Sequence, residues 1–132
     1  MQASEYAVLS LITEHTPDFV RLEGMSPEHN MMVARLIHAT LGMMSEVGEI
    51  ADALKKHIIY KRVLDDINML EEGGDVSWYV SLYLSAIKKT FEEMFAANIA
   101  KLSLRFPDNK FTLEAVNNRN LEAERRALEG KP

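Results

Sequence analysis

The spacing of apolar residues predicts helices along almost the whole chain. Apolar positions recur at intervals of three and four residues, and no stretch alternates apolar and polar residues as a strand does. The longest periodic segment runs from about Pro27 to Tyr60, with Ser26 as its expected cap. Other helices are expected at about 4–15, 66–89, 90–105 and 112–128. The pattern therefore predicts an all-α protein, an antiparallel bundle of four to five helices.

Two different stripes of side chains run along the longest helix. One is apolar and consists of Met43, Val47, Ile50 and Leu54. The other combines small residues with charged ones, namely Gly42, Glu46, Glu49, Ala53 and Lys56. Small residues beside carboxylates predict that another helix approaches this second face closely and encloses a polar pocket there.

The next helix is apolar on nearly every side between Val76 and Ile87. A helix of this kind is buried all round. In a chain of 132 residues such burial usually requires a second subunit in addition to the chain's own core. We therefore expect a homo-oligomer, a dimer or a tetramer.

Two short acidic motifs stand in these two helices: Glu46-Val47-Gly48-Glu49 and Glu72-Gly73-Gly74-Asp75. Residues three apart share a helix face, so two packed helices would gather four carboxylates in one small volume. Such a cluster is unfavourable unless a cation neutralises it. A lone Glu-x-x-Glu pair is more often a solvated helix face, but the apolar surroundings of both pairs favour a site for Mg²⁺ or Mn²⁺.

Composition excludes most other metal sites and several kinds of partner. The chain has no cysteine, and none of its four histidines follows a glutamate by three residues or forms a His-Glu-x-x-His motif. A net charge of −5 argues against binding to nucleic acid or to an anionic membrane surface. No apolar run reaches the length of about 18 residues that a membrane span needs, and the N-terminus has no secretory pattern. We expect one cytoplasmic domain over residues 1–132, with a core at about 27–107 and a C-terminal helix at about 112–128.

Basic and amide side chains offer contacts for an anionic ligand. Asn98, Lys101 and Arg105 lie at spacings of three and four and share one helix face. Lys55 and Lys56 follow Glu49 by one to two turns. These cations are either solvated or bind a polyphosphate. Because no glycine-rich phosphate loop is present, a bound phosphate would have to be held by metal ions and by side-chain cations such as these.

These motifs resemble the MazG-like all-α nucleoside triphosphate pyrophosphohydrolases. The paired Glu-x-x-Glu and Glu-x-x-Asp motifs are the hallmark of that family, and the later Asn-x-x-Lys-Leu-x-x-Arg-Phe-Pro run is a second point of agreement. One departure is Gly73, where the family commonly has an apolar residue. With two adjacent glycines, either the helix begins late or its backbone packs closely or kinks there. The matching segments are residues 41–49, Lys55-Lys56, residues 71–79 and residues 98–107.

The resemblance implies an oligomeric helical bundle that hydrolyses nucleoside triphosphates, with Mg²⁺, to the monophosphate and pyrophosphate. It implies a metal-ligand role for Glu46, Glu49, Glu72 and Asp75. It further implies phosphate contacts by Lys101 and Arg105, with Asn98 nearby and with Lys55 or Lys56 as a further candidate.

The catalytic base for such a reaction would be a carboxylate within reach of a metal-bound water. Glu49 is the first candidate, with Glu46 beside it. Trp78 or Tyr79 would stack on the nucleobase, although both are equally suited to a core. The alternatives are a non-catalytic module that binds nucleotide or metal, and a structural oligomeric bundle whose acids are solvated.

Overall fold

A computed structural model describes residues 24–131, and every regular element in that range is a helix. The all-α prediction is confirmed. The helix expected at about 4–15 lies outside the described residues. Contacts divide the chain into Met1–Met31 and Met32–Pro132, and the site discussed below lies in the second unit. The helices are α1 (Pro27–Tyr60), α2 (Asp66–Ala86), α3 (Phe91–Arg105), α4 (Leu113–Asn117) and α5 (Leu121–Leu128).

Helix α1 has the bounds that its sequence predicts. At its start, the backbone N–H of His29 donates to Oγ of Ser26 over 3.2 Å, as expected of a cap. At its end, Lys61 adopts a left-handed φ of 54°, and the N–H of Arg62 donates to the carbonyl of Lys56 over 3.2 Å. The residues that follow turn the chain back toward α2.

Helix α2 ends at Ala86, three residues before the predicted end near residue 89. Lys88 takes a left-handed φ of 57°, and the N–H of Lys89 donates to the carbonyl of Leu84 over 2.9 Å. Thr90 then caps α3: its Oγ1 accepts from the N–H of Glu93, and the Glu93 carboxylate accepts from the N–H of Thr90. This capping box separates the two helices.

The helix predicted over 112–128 is wrong as a single element, because the structure divides it into α4 and α5. Asn118 ends α4, and Asn120 caps α5 by accepting the N–H of Ala123 on its Oδ1 over 3.0 Å. Asparagine side chains compete with the helical hydrogen bonds of the backbone. The cap by Asn120 starts a new helix at Leu121 and so separates it from α4.

Helices α1 and α2 run antiparallel and touch along the small and acidic stripe of α1. Near one end, Nη2 of Arg35 donates to Oγ of Ser85 over 2.9 Å. In the middle, Gly42 lies against the ring of Tyr79, so closely that a Cβ on Gly42 would overlap the ring. The missing side chain of Gly42 therefore makes room for the ring of Tyr79 on the backbone of α1.

The Gly73-Gly74 pair does not interrupt α2. The helix starts at Asp66 and continues through both residues, so it does not begin late. A Cβ on either glycine would meet no atom within 4 Å. Close packing against the described residues, 24–131, therefore does not account for the pair either.

The contact between Gly42 and Tyr79 can be tested by a double-mutant cycle. Gly42→Ala should destabilise the protein by about 1–3 kcal/mol, because the added methyl group overpacks the interface of α1 and α2. In a Tyr79→Leu background the same change should cost much less, since the ring that it strikes is gone. Urea denaturation of the four proteins measures the coupling. Additive effects of the two changes would contradict the contact.

Candidate metal centre

Three carboxylates from α1 and α2 meet where the two helices face each other. Glu46, Glu72 and Asp75 each place one oxygen so that all three oxygens lie within 4.8 Å of one another. Glu72 is buried, with 6% of its surface exposed, whereas Glu46 is half-buried and Asp75 is exposed. Since Glu72 and Asp75 lie one turn apart on α2, a single helix face presents both to α1.

The cluster makes the charged form of Glu46 unfavourable. Partial burial raises the pKa of the Glu46 carboxyl, and repulsion from Glu49, Asp75 and Glu72 raises it further. Between residues 24 and 131, no lysine, arginine or histidine forms an ion pair with Glu46, Glu72 or Asp75. The negative charge of this cluster is thus left uncompensated by the described side chains.

The donor set of the cluster suits a hard divalent cation. Its three ligand atoms are all carboxylate oxygens, which Mg²⁺ and Mn²⁺ prefer over the nitrogen and sulfur ligands typical of zinc. A cation would also remove the repulsion that raises the pKa of Glu46. The residues present therefore fit the metal that the sequence predicts.

Glu72 receives a hydrogen bond from a residue one turn earlier on the same helix. Nδ2 of Asn68 donates to Oε1 of Glu72 over 2.7 Å. Asn68 lies in the first turn of α2, which Asp65 caps by accepting the N–H groups of Ile67 and Asn68 on its Oδ1. The start of α2 is therefore joined to the carboxylate cluster by a chain of hydrogen bonds.

A cavity of about 410 Å³ lies beside the cluster, between the second half of α1 and the segment leading into α2. Glu49 is exposed on its wall. The volume is in the range of small-ligand sites. The polar lining comes from Ser45, Glu49, Asp52, Lys56, Arg62, Asp65 and Asn68.

Comparison with known proteins decides the family. The family model described as the MazG nucleotide pyrophosphohydrolase domain matches residues 36–122, well over half of the chain. The chain belongs to the MazG family. The matched stretch includes all four predicted carboxylates, and the resemblance that their motifs indicated is confirmed. No curated protein and no solved structure shows significant similarity to the chain.

Of the four carboxylates assigned to the metal through the MazG motifs, three lie in the cluster and Glu49 lies beside it. Glu49 is close enough to raise the pKa of Glu46, yet it is not among the three residues whose oxygens meet. Its side chain opens instead toward the cavity. Three of the four motif residues therefore face one another across α1 and α2, whereas Glu49 faces the cavity.

Lys55 and Lys56 both form ion pairs with Asp52, one turn earlier on α1. Hydrogen bonds from the two lysines lower the pKa of Asp52 to about 2, and the bond from Lys55 has the larger effect. Of the two lysines, Lys56 lines the cavity. Lys56 is thus the one of the two lysines that lies at the cavity, and a phosphate contact by either lysine stays a prediction.

The predicted phosphate-binding stripe of the MazG motif lies on α3, and Arg105 is bound there to the C-terminal helix. Arg105 donates from Nε and Nη2 to the two oxygens of Glu124, over 3.0 and 2.7 Å. Arg119 donates to the same carboxylate over 3.2 and 2.6 Å. Asn98 and Lys101 are not part of the cavity lining, so the single chain does not bring this stripe to the cavity beside the acids.

Trp78 is also outside the cavity lining, and 58% of its surface is exposed. Its ring meets that of Tyr79 edge to face, with centroids 5.0 Å apart. Tyr79 in turn lies 5.8 Å from the ring of His38. Tyr79 is therefore a packing residue between α1 and α2, whereas Trp78 presents an open ring face.

Sequence reasoning missed Asn68, Asp52, Arg119 and Glu124. Two of them carried a signal, because Asn68 precedes Glu72 by four residues and Asp52 precedes Lys55 and Lys56 by three and four. The partnership of Arg105 with Glu124 joins residues 19 apart in different helices, and no spacing rule predicts it.

Among the helices of residues 24–131, none combines the length and hydrophobicity that crossing a membrane requires.

The buried Glu124 should make stability depend on acid pH. Hydrogen bonds from Arg105, which has the larger effect, and from Arg119 lower the pKa of Glu124 to about 2. The stabilisation is therefore complete above about pH 5 and is lost as the pH falls from there through about 2. At pH 7, Glu124→Gln should lower Tm by roughly 5 °C or more, because two arginines lose a charged partner.

Calorimetry of both proteins between pH 7 and pH 2.5 checks this, and the difference in Tm should shrink as the pH falls. Glu122→Gln is the matched control, since Glu122 is on the same helix but its side chain is 83% exposed. A difference in Tm that is independent of pH would contradict the role of the Glu124 charge.

Proposed function

We propose that this chain hydrolyses nucleoside or deoxynucleoside triphosphates to the nucleoside monophosphate and pyrophosphate, in a reaction that requires Mg²⁺. The observation that carries the proposal is the meeting of Glu46, Glu72 and Asp75 within a domain that matches the MazG family. Mn²⁺ is the expected substitute, because it prefers the same oxygen ligands. Membership of the family supports the type of reaction, and the carboxylate cluster supports its dependence on a metal.

The cation would be held by Glu46, Glu72 and Asp75, with Glu49 at the edge of the site. When bound, a divalent cation neutralises phosphate charge and makes a water molecule more acidic. Phosphoryl transfer depends mainly on such positioning and neutralisation. The protein's own contribution is a rigid set of carboxylates, fixed because α1 and α2 are packed together at Gly42 and Tyr79.

Glu49 is our candidate for the general base. It is exposed on the wall of the cavity and lies next to the cluster, so its carboxylate is available to accept a proton from water. The water oxygen then bonds to a phosphorus of the α–β anhydride link as the bridging P–O bond breaks. Pyrophosphate leaves, and the proton passes to Glu49.

Lys56, which lines the cavity, and Lys55, which shares its partner Asp52, would hold the triphosphate there. The MazG motifs assign further phosphate contacts to Arg105, Lys101 and Asn98 on α3, which do not line this cavity in the single chain. Arg105 uses Nε and Nη2 for Glu124, which leaves its Nη1 donors for a phosphate. The exposed ring of Trp78, also outside the cavity lining, is the candidate for stacking on the base.

We also propose that two or more copies of the chain pack through the outer faces of α1 and α2. On α1, Leu41 and Met44 are 60% and 67% exposed, on the side away from α2. On α2, Ile67 and Leu70 are exposed in the same way, and Gly74 on that face has open space around it. Large apolar faces of this kind are covered in stable proteins, and open glycines allow a second helix to approach closely.

The oligomer should depend on the outer face of α1. Leu41→Lys places a charge in the proposed interface, so we expect the mass measured by light scattering to fall toward that of one chain of 15.0 kDa. Leu121→Lys is the matched control, because Leu121 is equally exposed, at 63%, but lies on α5. An unchanged mass for Leu41→Lys, or a wild-type protein that is monomeric at all concentrations, would contradict the proposal.

The catalytic proposal is tested by Glu49→Ala and Asp75→Ala. Each should lower kcat for pyrophosphate release by a factor of about 100 or more, since each removes a base or a ligand that acts in the transition state. A panel of canonical and modified triphosphates with Mg²⁺ supplies the substrates. Glu71→Ala is the control, because Glu71 is exposed on α2 and is not part of the cluster.

Three outcomes would contradict this function. Full activity in both variants would exclude the carboxylates from catalysis. Stabilisation of the wild type by Mg²⁺ and nucleotide without any product would instead favour the non-catalytic binding module. Absence of any metal-induced stabilisation would favour the structural bundle.

A further inference from the structure

Asn68 donates the hydrogen bond that occupies one oxygen of the most buried carboxylate in the cluster. Its Nδ2 lies 2.7 Å from Oε1 of Glu72, and Glu72 is only 6% exposed. Within residues 24–131, Glu72 receives no hydrogen bond or ion pair from a lysine, arginine or histidine. Among the described residues, the amide of Asn68 is therefore the hydrogen-bond donor to this carboxylate.

The position of Asn68 is itself fixed by the start of α2. Oδ1 of Asp65 accepts the N–H of Asn68 over 3.2 Å and the N–H of Ile67 over 3.0 Å. This cap sets the first turn of the helix. From there, the side chain of Asn68 reaches Glu72 one turn later, at a spacing that puts both on one face.

An amide suits this place better than a charged side chain does. As a neutral donor it hydrogen-bonds the Glu72 carboxylate and adds no charge to the repulsion among the acids. A lysine would neutralise the carboxylate and compete with a cation, and an aspartate would add a further negative charge. Among residues 24–131, Asn68 donates to one oxygen of Glu72 and no other side chain donates to this carboxylate.

We propose that Asn68 is a positioning residue for the metal site: its hydrogen bond holds the Glu72 carboxylate in the orientation in which it would bind the cation. This inference rests on the proposed function, because it assigns Glu72 to a cation. Residues that orient metal ligands by hydrogen bonding commonly change metal affinity 10- to 100-fold when they are replaced. Asn68 acts through Glu72 and does not itself touch the reacting atoms.

The experiment is a titration with Mg²⁺ alone, followed by isothermal calorimetry and by the Mg²⁺-induced rise in Tm. We expect Asn68→Ala to weaken Mg²⁺ binding about 10-fold. Asn68→Gln keeps an amide donor on the same helix face and should stay within about 3-fold of wild type. Asn117→Ala, at an exposed asparagine of α4, is the control and should leave binding unchanged.

Activity provides a second readout. With Asn68→Ala, the Mg²⁺ concentration for half-maximal pyrophosphate release should rise by the same factor as the Kd, and kcat at saturating Mg²⁺ should largely recover. A residue that only stabilised the fold would lower Tm without Mg²⁺ and leave the Kd unchanged. That result would overturn the inference.

The failure of this inference differs from the failure of the proposed function. If the wild type binds Mg²⁺ and releases pyrophosphate while Asn68→Ala binds Mg²⁺ equally well, only the role of Asn68 is overturned. If the wild type neither binds Mg²⁺ nor releases pyrophosphate, the metal site and the role of Asn68 are overturned together.

Discussion

The contact between the ring of Tyr79 on α2 and Gly42 on α1 is the interaction on which the candidate site depends. Because Gly42 has no side chain, the ring of Tyr79 lies directly on the backbone of α1. One turn further along α1, Glu46 then faces Glu72 and Asp75. A side chain at position 42 would displace the ring of Tyr79, so the packing of these helices constrains the surroundings of the carboxylates.

That constraint brings together charges which repel each other. Partial burial and the neighbouring acids raise the pKa of Glu46, while Glu72 is buried and accepts a hydrogen bond from the Asn68 amide. Two other acids of the described chain are paired with two cations each, Asp52 with Lys55 and Lys56 and Glu124 with Arg105 and Arg119. This contrast supports the proposal that the cluster binds a cation from solution.

The sequence predicted best those features that depend on residues close together in the chain. Periodicity located α1 from Pro27 to Tyr60, and the i, i+3 spacing correctly placed Glu72 and Asp75 on one face. The division of the C-terminal helix at Asn118 was missed because this segment is only weakly amphipathic and the side-chain cap by Asn120 is a local signal within it. The partner of Arg105 was missed because Glu124 reaches it only after the chain has turned between α3 and α5. The hydrogen bond from Asn68 followed a known spacing, but nothing in the sequence distinguishes a bonded asparagine from a solvated one.

The unpaired acids also set a limit on how stable this fold can be. Replacing Glu46 with an uncharged residue of the same shape would relieve repulsion in the metal-free protein, so the sequence is not the one that stability alone would select. Retaining Glu46, Glu72 and Asp75 together means that the metal-free fold tolerates local electrostatic strain. For protein engineering, Glu46, Glu72 and Asp75 are therefore positions where substitutions that raise thermal stability are easy to find. Under the proposed function, the same substitutions would lower activity.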